Sequence, residues 1–139
     1  SIPKEIIKRY KYNMIFASEL DEGKYDKLKK RFKGNNKNFF IKNIDALNMD
    51  FLKDNFIDIV ITDPPWNVYD HKDKNYTDFY FKMLQELNRI VKQDGKLIIL
   101  MGNETEFETA LSKTSLKLED KLSVLINGKK AKVYILIVE

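Results

Sequence analysis

The chain has 139 residues, enough for one domain with a hydrophobic core, and its 25 Lys and Arg against 21 Asp and Glu give a net charge of +4. It has no cysteine and a single histidine, His71, which argues against disulfides, thiolate metal sites and an all-protein zinc site. No apolar run approaches the ~20 residues that span a bilayer, and no signal-peptide pattern opens the chain, so we expect a cytoplasmic protein without membrane contact.

The chain opens on a predicted helix, for which Ser1 suits the N-cap and Pro3 suits the first turn. A strand is predicted from Asn13 to Ser18, and apolar residues at helical spacing then predict a helix from Glu22 to Phe32. These elements begin an alternation of helices and strands.

An acidic stretch, Glu19-Leu20-Asp21, follows this strand. Nucleotide-binding α/β folds hold a ribose hydroxyl pair with an acid at the tip of the second strand. Glu19 is the first candidate for this role, and Asp21 is the reserve. The alternative, that Asp21 and Glu22 only favour the positive N-terminus of the next helix, explains these two residues well and Glu19 poorly.

A short strand is predicted from Asn38 to Lys42, and a short helix from Ala46 to Leu52. Asp45 stands between them and is a candidate N-cap for that helix.

The next strand, Ile57 to Asp63, is apolar or β-branched on both faces, which is typical of a strand buried on both sides of a parallel sheet. Pro64 and Pro65 cannot donate to a ladder, so the strand must end at Asp63. Ligands of open parallel sheets bind outside the carboxyl ends of the strands. The Asp63 carboxylate, a stiff turn and the π surface of Trp66 are therefore predicted where chemistry is usually done.

The polar loop from Asn67 to Asn75 contains His71, which is a candidate general base or, as we favour, an exposed loop histidine. The remaining predictions are a helix at Tyr76–Val91, a strand at Lys96–Met101, a helix at Glu104–Leu111, and two strands at Lys117–Ile126 and Lys130–Val138. Asn127-Gly128 between the last two strands is a strong hairpin signal. The whole chain is predicted to be one α/β domain, residues 1–139, with a mostly parallel, Rossmann-like sheet and a C-terminal antiparallel hairpin.

Asp63-Pro64-Pro65-Trp66 after a strand resembles the (Asp/Asn)-Pro-Pro-(Tyr/Phe/Trp) motif of S-adenosylmethionine-dependent amino-methyltransferases, and the terminal hairpin resembles the signature of the class I fold. The nearest subgroup is the RNA guanine-N2 methyltransferases whose catalytic domain follows a THUMP RNA-binding domain. That subgroup more often has tyrosine and glycine where this chain has Trp66 and Asn67. The resemblance implies that the Asp63 carboxylate and the Pro64 carbonyl accept the amino hydrogens, that Pro65 stiffens the turn, and that Trp66 stacks on the base.

The resemblance also implies the cofactor, S-adenosylmethionine, and the residues that hold it. Glu19, with Leu20 beside it, matches the ribose acid of the family. The Asp45 carboxylate would take the adenine amino group, and the backbone N–H of Ala46 would meet a ring nitrogen. Asp63 is also counted among the cofactor contacts.

The function implied is methylation of an exocyclic amino nitrogen of a base in tRNA or rRNA, with guanine-N2 favoured, and the mildly basic charge is compatible with nucleic acid. The alternatives are a DNA adenine-N6 methyltransferase, a protein-glutamine methyltransferase, and a nucleotide- or RNA-binding module without catalysis. Protein-glutamine enzymes usually have asparagine where this chain has Asp63.

Ser1-Ile2-Pro3 resembles the stretch that follows the first strand and its glycine-rich loop in this fold. We therefore expect an N-terminally truncated fold, in which a strand lies between those ending at Ser18 and Thr62. Another chain or a missing N-terminal segment would supply it. The chain alone is not expected to bind S-adenosylmethionine with useful affinity.

Overall fold

A computed structural model of the chain describes residues 1–34, 38–66 and 75–139. His71 and most of the predicted polar loop lie outside these residues. The elements, in chain order, are α1 (Ile2–Arg9), β1 (Ile15–Ser18), α2 (Glu22–Arg31), β2 (Phe39–Lys42), β3 (Ile57–Thr62), α3 (Tyr76–Ile90), β4 (Val91–Met101), α4 (Glu104–Ser112), β5 (Lys117–Ile126) and β6 (Lys129–Ile137). Every helix and strand predicted from the sequence is present, with one exception given below. No described helix is long and apolar enough to cross a membrane.

The first of two compact units, residues 1–49, contains α1, α2 and the parallel pair of β1 with β2. Asp21 caps α2, because its Oδ1 accepts a hydrogen bond of 2.8 Å from the backbone N–H of Lys24. Phe32 at the end of α2 packs on Phe39, with ring centroids 4.9 Å apart. This contact attaches α2 to β2.

The second unit, residues 50–139, is built on a four-stranded sheet in the order β3-β4-β6-β5. β3 and β4 are parallel, while β6 is antiparallel to both β4 and β5. The core residues of α3 and β4 are fully buried or nearly so: Tyr80, Met83, Leu84, Leu87, Leu97, Ile99 and Met101. α3 packs against β4 and α4, so that the helical spacing read from the sequence corresponds to its buried face.

The terminal hairpin forms as predicted. Asn127 and Gly128 have φ angles of 50° and 78°, the positive values that a two-residue type I′ turn requires at both central positions. Asparagine and glycine tolerate this conformation at lower steric cost than other residues.

The helix predicted from Ala46 to Leu52 is wrong, since these residues form turns. Asp45 is consequently not a helix N-cap. Its Oδ1 accepts a hydrogen bond of 2.9 Å from the N–H of Leu47, two residues on, and its carbonyl accepts one of 3.0 Å from Asn48. Such local bonds offer the backbone an alternative to helix, and here they prevail.

Burial of β3 on both faces is also wrong for the chain as described. Ile59 and Ile61 are 55% and 41% exposed. The reason is that β3 is an edge strand, whose only hydrogen-bonded neighbour within residues 1–34, 38–66 and 75–139 is β4.

Parallel pairing is confirmed for β1 with β2 and for β3 with β4, but the described strands form two sheets rather than one. β1, like β3, has one strand neighbour in the described part of the chain. The expectation that a further strand lies between β1 and β3 stays a prediction.

Candidate active site

The predicted motif lies at the carboxyl edge of the second sheet. Asp63 follows β3 directly, and the parallel register places Thr62 opposite Ile99 of β4. The residues that leave β4, Gly102 and Asn103, therefore emerge at the same edge as the motif. Pro64 is buried in this turn, while Asp63 is exposed. The sequence prediction for the position of the motif is confirmed.

Trp66 lies against the backbone at the end of β4. Its Nε1 donates a hydrogen bond of 3.3 Å to the carbonyl of Leu100. A Cβ atom built on Gly102 would come within 2.5 Å of Cε3 and 2.8 Å of Cδ2 of the indole, well inside contact distance. The absence of a side chain at Gly102 lets the ring rest on this backbone. Trp66 nevertheless remains partly exposed.

Pro65 is held by a tyrosine from α3. The hydroxyl of Tyr80 donates a hydrogen bond of 2.7 Å to the Pro65 carbonyl and accepts one of 3.1 Å from Nδ2 of Asn103. Asn103 stands at the N-cap position of α4, but its side chain makes no capping bond there. These two hydrogen bonds link the N-terminal end of α4 and helix α3 to the turn that carries the motif.

The electrostatics of Asp63 favour its protonated form relative to a free aspartate. Burial of part of the carboxyl group raises its pKa, and the nearby polar N–H of the Trp66 side chain opposes this shift. Only the ionised carboxylate offers both oxygens as acceptors, so this raised pKa sets the lower pH limit of the acceptor role predicted for Asp63.

Two of the acids predicted to contact the cofactor, Glu19 and Asp45, lie in the first unit, whereas the third, Asp63, lies in the second. Glu19 follows β1 and is partly buried, and its Oε1 accepts a hydrogen bond of 3.0 Å from the N–H of Asp21. Nδ2 of Asn43 donates to the carbonyls of Glu19 and Leu20, at 2.9 and 3.0 Å. Asp21, the reserve candidate, caps α2, so each of these two carboxylates has one oxygen bound by a backbone N–H.

Asp45 and Ala46 follow β2, the parallel neighbour of β1, and both are partly buried. Parallel strands end at the same edge, so the two predicted cofactor stretches begin side by side. The Leu47 N–H fixes one carboxylate oxygen of Asp45. These carboxylates have the chemistry to accept hydrogen bonds from ribose hydroxyls and an adenine amino group.

Four residues at these sites were missed by sequence reasoning: Gly102, Asn103, Tyr80 and Asn43. The helical pattern marked Tyr80 as a core residue but carried no sign of its hydroxyl contact. A glycine and an asparagine between a buried strand and a helix are a weak signal, because the same pair is common in ordinary turns.

Comparisons with known proteins support the fold. TrmN from Thermus thermophilus matches with a TM-score of 0.84 and 16% identity, covering 99% of this chain and 40% of that one. An S-adenosylmethionine-dependent methyltransferase from Methanosarcina mazei matches with a TM-score of 0.72 and 12% identity, covering 98% and 85%. The B. subtilis M1A22 tRNA methyltransferase TrmK matches with a TM-score of 0.74 and 15% identity, covering 99% and 55%. At such identities the likeness shows the fold.

Among curated proteins, the type II methyltransferase M.HpaI of Haemophilus parainfluenzae is 39% identical over 59 residues, which are 37% of this chain. The match spans 19% of that protein's length.

These solved structures share a Rossmann-like class I methyltransferase fold with this chain. The model of the RMKL-like methyltransferase domain family, UPF0020, matches residues 4–132. The chain belongs to this family. The predicted family and fold class are thereby confirmed.

Proposed function

We propose that this methyltransferase methylates an exocyclic amino nitrogen of a base in RNA, with guanine-N2 of tRNA or rRNA favoured. The observation that carries the proposal is the motif itself, which places an exposed Asp63, the turn at Pro64 and a partly exposed Trp66 at the carboxyl edge of β3. The tRNA methyltransferase TrmK shares the fold, which supports RNA as the polymer.

An exocyclic amine is a poor nucleophile because its lone pair is delocalised into the ring. The Asp63 carboxylate and the Pro64 carbonyl can each accept one amino hydrogen, which turns the lone pair out of the ring plane. Proline has a fixed φ angle, so Pro64 and Pro65 hold the acceptors stiffly. Trp66 would stack on the base once it is out of its helix, which contributes about 1–3 kcal/mol per stacked base.

Glu19, Asp45 and the N–H of Ala46 would hold the cofactor through its ribose and adenine, roles for which their donors and acceptors fit. S-adenosylmethionine supplies an electrophilic methyl group on its sulfonium. Orientation of the two reactants can lower the barrier by about 7–11 kcal/mol, so the residues proposed here need only bind and align.

A second candidate is methylation of adenine-N6 in DNA. The short similarity to a type II methyltransferase favours it, and the same two acceptors would serve an adenine amine equally well.

Methyl transfer from labelled S-adenosylmethionine to unmodified tRNA, rRNA and DNA tests the proposal, with the full-length protein as enzyme. The labelled nucleoside is then identified by mass spectrometry. We expect label in N2-methylguanosine, and Asp63→Asn should lower transfer strongly. The matched control is Asp58→Asn on the same strand, since Asp58 is an exposed partner of Lys92 at 2.9 Å. Label confined to DNA would replace the RNA assignment with the second candidate.

A further inference from the structure

The hydroxyl of Tyr80 is a buried polar group aimed at the motif backbone. Tyr80 is 0% exposed, and its ring is packed between those of Tyr76 and Phe107, with centroids 5.8 and 5.9 Å away. A hydroxyl in such surroundings is costly to bury unless it is hydrogen-bonded. Its two bonds, to the Pro65 carbonyl and from Asn103, meet this need. The packed ring therefore fixes where the Pro65 carbonyl can lie.

This contact removes a specific freedom of the motif. The φ angles of Pro64 and Pro65 are fixed by their rings, so the ψ angles are what remains to be set. A hydrogen bond to the Pro65 carbonyl fixes the plane of the peptide group between Pro65 and Trp66. Trp66 consequently leaves the turn in a direction that Tyr80 determines.

The second restraint acts on the indole ring. The Leu100 carbonyl accepts from Nε1, and Gly102 presents bare backbone to Cε3 and Cδ2. A methyl group at position 102 would overlap the ring at 2.5 Å, and the ring would have to move. Gly102 thus sets the plane of Trp66 from one side.

We propose that Tyr80, Asn103 and Gly102 are positioning residues for methyl transfer, which act by fixing the Pro65 carbonyl and the plane of Trp66. The proposal rests on the function proposed above for the motif. Tyr80 sets the direction of the turn, Asn103 holds the Tyr80 hydroxyl, and Gly102 supports the stacking surface. Burial raises the pKa of Tyr80 to about 12, so its hydroxyl keeps its proton and donates throughout the pH range of an assay.

Trp66 is the only tryptophan in the sequence, so tryptophan fluorescence can test the proposal. In any longer form of the protein, additional tryptophans would first be replaced by phenylalanine. Tyr80→Phe keeps the packed ring and removes the donor to Pro65. We expect a red-shifted emission maximum, stronger quenching by acrylamide, and a kcat about 10- to 100-fold lower, with an unchanged Kd for S-adenosylmethionine.

The matched control is Tyr134→Phe. Tyr134 is also 0% exposed, and its hydroxyl donates a hydrogen bond of 2.8 Å to Glu108 of α4 rather than to the motif. Its loss should leave both the emission and kcat as in the wild type. Gly102→Ala should reproduce the emission shift of Tyr80→Phe, and if it fails to fold by circular dichroism, Tyr80→Phe alone decides.

Emission and kcat of Tyr80→Phe equal to those of Tyr134→Phe would overturn the proposal. A shifted emission maximum with an unchanged kcat would show that Tyr80 orients Trp66 without affecting methyl transfer, and this would also overturn the proposal. Failure of the proposed function has a different signature, since Asp63→Asn would then transfer methyl groups as fast as the wild type whatever Tyr80→Phe does.

Discussion

At the scale of single residues, the two acids that define the proposed chemistry and the proposed cofactor site occupy different environments. Asp63 is part of a turn whose packing raises its pKa, which works against the ionised form that the reaction needs. Glu19 lies at the end of β1, in a backbone held by Asn43. Each environment leads to a prediction that separates function from stability.

The raised pKa of Asp63 predicts an acid limb in the pH profile of methyl transfer. Because transfer uses the carboxylate, kcat should fall as the pH is lowered through the folded-state pKa, which lies above the ordinary value of 3.8. The residual activity of Asp63→Asn should lack this limb, since the amide does not titrate.

The contribution of Asp63 to the stability of the fold should depend on pH in the opposite sense to kcat. An acid with a raised pKa stabilises the fold when protonated, and this contribution is lost as the pH rises through that pKa. Asp63→Asn should therefore retain wild-type thermal stability at neutral pH, and a marked loss in a thermal melt would contradict this account.

Alanine substitutions at Glu19 and Asp21 should affect different quantities, the affinity for the cofactor at Glu19 and the stability of the fold at Asp21. Glu19→Ala removes the proposed ribose contact, and a hydrogen bond to a charged group contributes about 1.5–3 kcal/mol, so binding should weaken roughly ten- to hundredfold. Asp21→Ala removes the cap of α2 and should cost about 0.5–2 kcal/mol of stability with unchanged affinity. Calorimetric titration and thermal melts of the full-length protein measure both. Loss of affinity in Asp21→Ala alone would move the ribose contact two residues along the chain.

At the scale of elements, α4 is attached to the terminal hairpin by a polar cluster. Glu108 of α4 accepts hydrogen bonds of 2.8 Å from Lys121 of β5 and from the Tyr134 hydroxyl of β6. The bond from Lys121, followed by that from Tyr134, holds the pKa of Glu108 below its ordinary value. The cluster therefore connects an exposed charge pair to one of the most deeply buried tyrosines of the unit.

This cluster predicts a pH-dependent contribution of Glu108 to stability. A carboxyl with a lowered pKa stabilises the fold above its unfolded-state pKa, and the contribution is lost as the pH falls through the folded-state pKa. Glu108→Gln should lower the melting temperature at pH 7, and the difference from wild type should shrink on acidification. Thermal melts across this pH range provide the test. An equal difference at pH 7 and well below the ordinary carboxyl range would show that packing, not charge, is responsible.

At the scale of the whole molecule, the two edges of the larger sheet differ in chemistry. β3 exposes Ile59 and Ile61 beside an edge that pairs with no other strand of the described part of the chain, whereas on β5 the charged run Glu119-Asp120-Lys121 interrupts the exposed residues Leu118, Leu122, Leu125 and Ile126. Charged residues on an edge strand oppose edge-to-edge pairing, and apolar ones favour it. Association of the isolated chain is therefore expected through β3.

The 139-residue chain by itself should self-associate and should not bind S-adenosylmethionine at micromolar concentration. Ile59→Lys should shift the chain toward monomer in sedimentation velocity, because a charge at this edge opposes strand addition. Leu125→Lys on β5, at a site that is 70% exposed, is the matched control and should leave the association unchanged. A wild-type chain that is monomeric, melts cooperatively and binds the cofactor at micromolar concentration would refute this expectation.

The amino-acid sequence by itself determined the order of the elements, the turn at Asn127-Gly128 and the position of Asp63-Pro64-Pro65-Trp66 at the end of a strand. These follow from local physics, since proline cannot continue a ladder and an asparagine-glycine pair accepts positive φ. The tertiary structure alone decided that Trp66 rests on Gly102, that Tyr80 bonds the Pro65 carbonyl, and that β3 is exposed at an edge. Each of these depends on groups far apart in the chain, whose meeting no local periodicity encodes. The helix predicted after Asp45, which does not form, was decided by competing local effects. The apolar pattern favoured a helix, whereas the hydrogen bond from the Leu47 N–H to the Asp45 side chain favoured a turn.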